Sequence, residues 1–297
     1  MTDLMEGQTG LLPGATGVVR VPVTDLRVAP GREAELVNQA LLGTPLTVLD
    51  HGTDAATDWL RVRLPDYEGW LATAAIETAT GSRSPARQIC VAARSTALTV
   101  LDTDDLPTGN PLTVYAGTRL VLAPDAAVNG MEGWVLVSLP DGSDALADPA
   151  ALTPAEADAC GSAAAVVATA QAFLGVPYLW GGLTERGIDC SGLMQIAYRV
   201  HGYDLPRDAD QQLQTIPTAV AGTTWQPGDL IFYGHAPDRV IHVMLALGAG
   251  RVIHAKGDQR VMVQSMDPAQ PDYHARTDHY LGARRVIPQP EGRTHEQ

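Results

Sequence analysis

Between residues 17 and 152, apolar and polar positions alternate in short runs broken by Gly, Pro and Asp. That is the pattern of half-buried strands joined by turns. The pattern also recurs. GTPLTVL at 43–49 returns as GTRLVLA at 117–123, and DWLRVRLPD at 58–66 returns as GWVLVSLPD at 133–141, at offsets of 74 and 75. Two copies of one small β-barrel are expected, at 17–79 and 87–152, behind a tail at 1–16. The turn formers TGSRSP at 80–85 link them. Trp59 and Trp134 hold matching positions and are expected in the barrel cores. The copies diverge at one place: Tyr67-Glu68-Gly69-Trp70 in the first is Gly142-Ser143-Asp144-Ala145 in the second.

From Pro154 the pattern changes. Residues 155–174 are Ala-rich with Ala, Val and Phe at helical spacing, which predicts one long helix. A turn at Gly175-Val176-Pro177 and the loop PYLWGGLTERGI follow. A second helix is expected over about 190–201, with Leu193, Ile196, Ala197 and Val200 on one face. Strands are expected at 229–233, 242–247, 251–255 and near 281–287. Helices followed by an antiparallel sheet make an α+β domain at 155–288, with a polar tail at 289–297.

Composition narrows the function. Hydrophobic residues make up 45% of the 297, enough to build cores. The net charge of −14 repels phosphate backbones and anionic surfaces, so nucleic acid and membrane are not expected partners. The start MTDLMEGQTG has neither the basic nor the apolar region of a signal peptide, and no apolar run reaches 18 residues. A cytoplasmic protein is the expectation. Cys90, Cys160 and Cys190 are an odd set without a CxxC pair, against a disulfide framework or a zinc knuckle.

Cys190 stands at the start of the second predicted helix, in Gly187-Ile188-Asp189-Cys190-Ser191-Gly192. The free N–H groups and dipole of a helix start favour a thiolate, and are expected to lower the cysteine pKa. The same N–H groups can receive an oxyanion. Cys90 and Cys160 read as small buried hydrophobes. His242 begins one strand and His254 lies near the end of the next, with a turn at Gly248–Gly250 between them. His242 as base and His254 as its orienter would complete a nucleophilic site. His51, His201, His274, His279 and His295 are taken as exposed or satisfied, and so is His235.

The stretches GVPYLWGGLTERGIDCSGLMQIAYR, LPRDADQQ, QPGDLIFY, IHVMLALG and VIHA, in that order, resemble the NlpC/P60 cell-wall peptidases over about 160–287. The resemblance implies a papain-like catalytic domain with Cys190, His242 and His254 as its triad and no metal or cofactor. It implies that Tyr178 to Gly182 line the site, with Tyr178 as an oxyanion donor. Trp180 is expected to pack under the loop. The repeats look like bacterial SH3 domains. Two of them before such a domain resemble the subgroup that cleaves after γ-D-glutamate in L-Ala-γ-D-Glu-diamino acid murein peptides and demands a free N-terminal L-alanine.

A buried ammonium must meet a carboxylate. Asp208 matches the subgroup's amine-binding aspartate, although the neighbouring subgroup Ser is Ala209 here. Asp208 could equally be the N-cap of a helix from Ala209. Tyr67 and Glu35 match residues with which the subgroup closes its pocket from the first SH3-like domain; a plain surface role competes. Asp189 and Ser191 are expected to contact the substrate. Arg207 either pairs with a carboxylate such as Asp189 or lies on the surface. Three other readings remain: a hydrolase exported to act on intact wall, a wall-binding module with a dead peptidase, and an acyltransferase on the same triad. A zinc site at Cys190, His242 and His254 lacks a compact ligand pair.

Overall fold

The computed structural model describes residues 11–51, 58–78, 87–123, 133–155, 161–275 and 279–288. The TGSRSP linker, Cys160 and both tails lie largely or wholly outside these residues.

The first unit holds β1 (Thr16–Val19), β2 (Val23–Arg27), β3 (Leu36–Leu41), β4 (Pro45–His51), β5 (Trp59–Arg63), β6 (Glu68–Ala72) and β7 (Ile76–Thr78). The second holds β8 (Gln88–Val91), β9 (Ser95–Leu101), β10 (Pro107–Tyr115), β11 (Arg119–Leu122), β12 (Val135–Ser138), β13 (Asp144–Ala147) and β14 (Leu152–Pro154). The first sheet runs β3-β2-β6-β5-β4-β1-β7 and the second β10-β9-β13-β12-β11-β8-β14. Counted within each unit the order is the same, so the weak sequence repeat is a repeat of topology.

Alternation sends Leu60 and Val62 of β5 into the first core and Val137 of β12 into the second. The two tryptophans do not follow them. Trp59 is half-buried and Trp134 is 49% exposed, which corrects the expectation of two core residues. Trp59 opens β5 and Trp134 stands one residue before β12, both ahead of the inward-facing positions.

The third unit contains α1 (Ala163–Ala172), a two-rung hairpin of β15 (Leu183–Thr184) and β16 (Gly187–Ile188), α2 (Cys190–Arg199) and α3 (Ala209–Thr215). A six-stranded sheet follows: β17 (Thr218–Val220), β18 (Leu230–Ala236), β19 (Arg239–Gly248), β20 (Arg251–Ala255), β21 (Val261–Ser265) and β22 (His279–Arg285), in the order β17-β22-β18-β19-β20-β21. The predicted long helix is shorter than its Ala-rich pattern. Leu152–Pro154 is drawn into a strand against β8, and the Ser162 hydroxyl accepts from Ala165 N–H to start α1. Helix α2 is buried on every side from Cys190 to Tyr198, not on one face. It therefore lies inside the domain, with the sheet on one side and α1 on another.

Three consecutive residues at the end of β3 enter three different cores. Ala40 packs in the first barrel, Leu41 in the core under α2, and Leu42 in the second barrel, each 2% exposed. Cys90, Tyr115 and Ala116 of the second barrel join Leu41 in the core under α2. The three units thus share continuous apolar contacts. Among the described residues, no helix is long and apolar enough to cross a membrane.

Candidate active site

Asp189 is the N-cap of α2, and its Oδ1 accepts from Gly192 N–H at 2.7 Å. Its Oδ2 accepts from Gly181 N–H at 2.8 Å, tying the Tyr178–Gly182 loop to the helix start. Arg207, 1% exposed, donates Nη1 to Asp189 Oδ1 at 3.0 Å and Nη2 to Oδ2 at 2.5 Å. The same Nη1 reaches Ser191 Oγ at 2.9 Å, and Nε reaches Asn38 Oδ1 at 2.7 Å. Of the two roles open to Arg207, the buried pair with Asp189 is the one present. The Asp189 and Ser191 side chains hydrogen-bond to each other, to Arg207 and to the backbone, and so hold the helix start.

Cys190 opens α2 in this frame. Its sulfur receives hydrogen bonds from the backbone N–H groups of Val243 and Ser191. Val243 follows His242, so the sulfur meets β19 at that histidine. Burial, then the Asp189 charge, pushes the thiol up to about 11, against the pull of these N–H groups and Arg207. This corrects the expected low pKa: the helix start does not outweigh the loss of water.

His242, His254 and Gln264 lie on one face of β19, β20 and β21, opposite Leu245, Ile253 and Val263, which pair in register. His242 Nε2 lies 2.8 Å from His254 Nδ1, with the rings nearly perpendicular at 83°. His254 Nε2 lies 3.0 Å from Gln264 Oε1. His274, expected to be an ordinary surface or strand histidine, is buried with its ring 4.6 Å from that of His254. Its backbone N–H is held by Ser265 carbonyl, which brings the loop onto the dyad. Gln264 and His274 were not singled out in the sequence. Strand pairing with β20 would have pointed to Gln264; nothing local marks His274.

These three histidines place ligand-capable nitrogens within 4.8 Å of one another. His242 Nε2 and His254 Nδ1 face each other at 2.8 Å, a hydrogen-bond separation across which they share a proton.

Tyr178 is half-buried beside Cys190, and its hydroxyl pKa is raised, by burial first and then by the Cys190 and Asp189 charges. It therefore stays a proton donor. Trp180 is 57% exposed and does not pack under the loop. Gly181 next to it takes a left-handed conformation with its backbone against Leu36.

Asp208 precedes α3 but makes no side-chain cap. Its carboxylate instead accepts a hydrogen bond from the Tyr67 hydroxyl of the first barrel. Burial raises its pKa, with help from the Asp210 and Asp189 charges and against Arg207 and Tyr67. Burial and Asp208 together push the Tyr67 hydroxyl up to about 12. Glu35 is exposed, and among the described residues its carboxylate makes no hydrogen bond or ion pair. It is one residue from Leu36, which touches the Gly181 loop. The first barrel also contributes Asn38 and Gln39, whose Oε1 accepts from Leu183 N–H at 2.9 Å.

Residues 175–282 match the NlpC/P60 family and residues 26–76 match the bacterial dipeptidyl-peptidase Sh3 domain. Residues 175–282 thus carry an NlpC/P60 domain of papain-like fold, and residues 26–76 ahead of it a bacterial SH3 domain. It is similar to the gamma-D-glutamyl-L-lysine dipeptidyl-peptidase of Bacillus cereus, 29% identical over 276 residues that span 86% of this chain and 76% of the relative. It is also similar to dipeptidyl-peptidase 6 of Lysinibacillus sphaericus, 29% identical over 86% of this chain and 93% of that one. The crystal structure of an NlpC/P60 family protein from Bacillus cereus superposes with a TM-score of 0.75 at 25% identity, covering 92% of this chain and all of the other.

Proposed function

We propose that the protein is a cysteine peptidase that cleaves the γ-D-glutamyl–diamino acid bond of murein peptides carrying a free N-terminal L-alanine. The observation that carries the reading is Cys190 on a buried helix start with its sulfur at the Val243 N–H next to His242 of the His242–His254 dyad, together with the Asp208 carboxylate held by Tyr67 from another unit. The names of the similar proteins support the bond and the substrate class.

A thiol at about 11 does not ionise alone at neutral pH, so proton transfer to His242 is the enabling step. The sulfur attacks the glutamyl carbonyl, and the Tyr178 hydroxyl donates to the oxyanion. His242 returns the proton to the leaving amine, and water then resolves the thioester. His254 holds the His242 ring throughout. Asp208 takes the substrate ammonium, which would otherwise lose its water without compensation. A free-amine requirement suits released peptides, in keeping with recycling, and intact wall with a blocked alanine is excluded.

Mass spectrometry of products from L-Ala-γ-D-Glu-L-Lys, with and without an N-acetyl cap, tests this. The free peptide should yield L-Ala-γ-D-Glu and lysine, the capped one nothing, and Cys190→Ala neither product. Equal cleavage of both peptides removes the role given to Asp208. Full activity in C190A removes the cysteine mechanism.

A further inference from the structure

A base must present a bare nitrogen to the thiol, and a neutral imidazole has only one. Which nitrogen of His242 is bare depends on the partners behind it.

We propose that Gln264 is a positioning residue that fixes the tautomers of both histidines, so that His242 offers an unprotonated Nδ1 to Cys190. The inference rests on the reading of Cys190 and His242 as nucleophile and base. It starts at the end of the row away from the sulfur. An amide oxygen only accepts hydrogen bonds, so Gln264 Oε1 at 3.0 Å requires the proton of His254 to sit on Nε2. Neutral His254 then has a bare Nδ1. At 2.8 Å that atom accepts from His242 Nε2, which must carry the proton. The second nitrogen of His242, Nδ1, is left bare. The opposite arrangement would protonate Nδ1 of His242 and leave no base.

The fold holds this order in place. Gln264 stands on β21, paired with Val252 of β20, so its amide reaches His254 from a strand neighbour and not from a loop. The His274 ring packs 4.6 Å from the His254 ring and restricts its rotation. The neutral amide has a further effect. When His242 takes the thiol proton, it becomes a cation that donates Nε2–H to His254 Nδ1. Gln264 cannot take a proton, so His254 cannot pass its own onward. The transferred proton stays on His242, where the leaving amine must collect it.

The test combines a spectroscopic signature with kinetics. In the free enzyme labelled with 15N-histidine, long-range 1H–15N correlation spectra should show His254 protonated at Nε2 and His242 bare at Nδ1. Gln264→Met keeps the side-chain volume but removes the acceptor. It should scramble the His254 tautomer and lower kcat by about ten- to a hundredfold with KM unchanged. Gln264→Glu restores the acceptor but can also take the His254 proton, so it should recover the His254 Nε2–H signature and only part of the kcat lost in Q264M. The proposal is overturned if wild-type His254 is protonated at Nδ1, or if Q264M keeps both tautomers and its kcat. If Q264M does not fold, the wild-type and Q264E spectra decide by the same criteria. The spectra need no substrate. Wild-type enzyme that has the expected tautomers but leaves the murein peptide intact therefore speaks against the substrate assignment and not against Gln264.

Discussion

The Tyr67 hydroxyl of the first barrel donates a hydrogen bond to the Asp208 carboxylate of the papain-like domain. The ammonium site proposed above is thus built by two units, and neither residue has this partner without the other unit. Tyr67→Phe removes one hydrogen bond, about 1 kcal/mol, and should raise KM for the free-amine peptide by about five- to tenfold. Asp208→Asn removes the charge and should cost at least about thirtyfold in kcat/KM. Steady-state kinetics on capped and free peptides check both, since D208N should lose the discrimination as well as the rate.

The same pair sets a pH dependence. Protonated Asp208 cannot hold an ammonium, so KM should climb as pH falls through the Asp208 pKa. Because burial raises that pKa, the climb should begin at higher pH than for an ordinary carboxyl. Tyr67 opposes the raise, so Y67F should move the limb to still higher pH, and D208N should abolish it. A KM–pH series on the three proteins reads the order directly.

Cys190 should be sluggish without its base. In His242→Ala, burial and Asp189 act on a thiol with no imidazole partner. Alkylation by iodoacetamide should then rise steadily through neutral pH and level off only near 11. A plateau below pH 8 in that variant would mean that the helix start ionises the sulfur by itself.

Asn38 and Arg207 hold the helix start from opposite units. Asn38→Ala strips an acceptor from a buried guanidinium and should destabilise by about 1–3 kcal/mol. Arg207→Met leaves Asp189 charged and uncompensated, and should cost about 3–5 kcal/mol. Urea unfolding monitored by tryptophan fluorescence ranks the two.

Gly181 has a φ of 77°, and a Cβ there would meet Leu36 Cγ at 2.8 Å and its carbonyl oxygen at 3.0 Å. Gly181→Ala should therefore push the loop away from the first barrel and break the Gly181 N–H bond to Asp189. The expected loss is about 1–3 kcal/mol in stability, with a fall in kcat/KM. Unchanged kinetics would show that the loop tolerates the shift.

What could be read in the chain was whatever has a period or a short motif. The barrel strands, α2 and the strands carrying His242 and His254 follow from alternation and spacing. Asn38, Gln264 and His274 were not legible because each works through a neighbour brought in by tertiary pairing. Asn38 lies 169 positions from the arginine it holds. The Ser162 cap fixes the start of α1 at Ala163, inside the Ala-rich stretch, and helical spacing alone does not show where such a cap falls. The thiol pKa went the other way from expectation because burial is a property of the whole domain, whereas a helix start is visible locally.

Ala40, Leu41 and Leu42 send one side chain each into three separate interiors. Such a tripeptide acts as a rivet through three plates. Excising either barrel by a cut in the chain would leave raw apolar faces on what remains, so the pieces are not spare modules to be shuffled onto other enzymes. Heat or denaturant should meet one melting unit, and the catalytic half should lose its shape when the first barrel does.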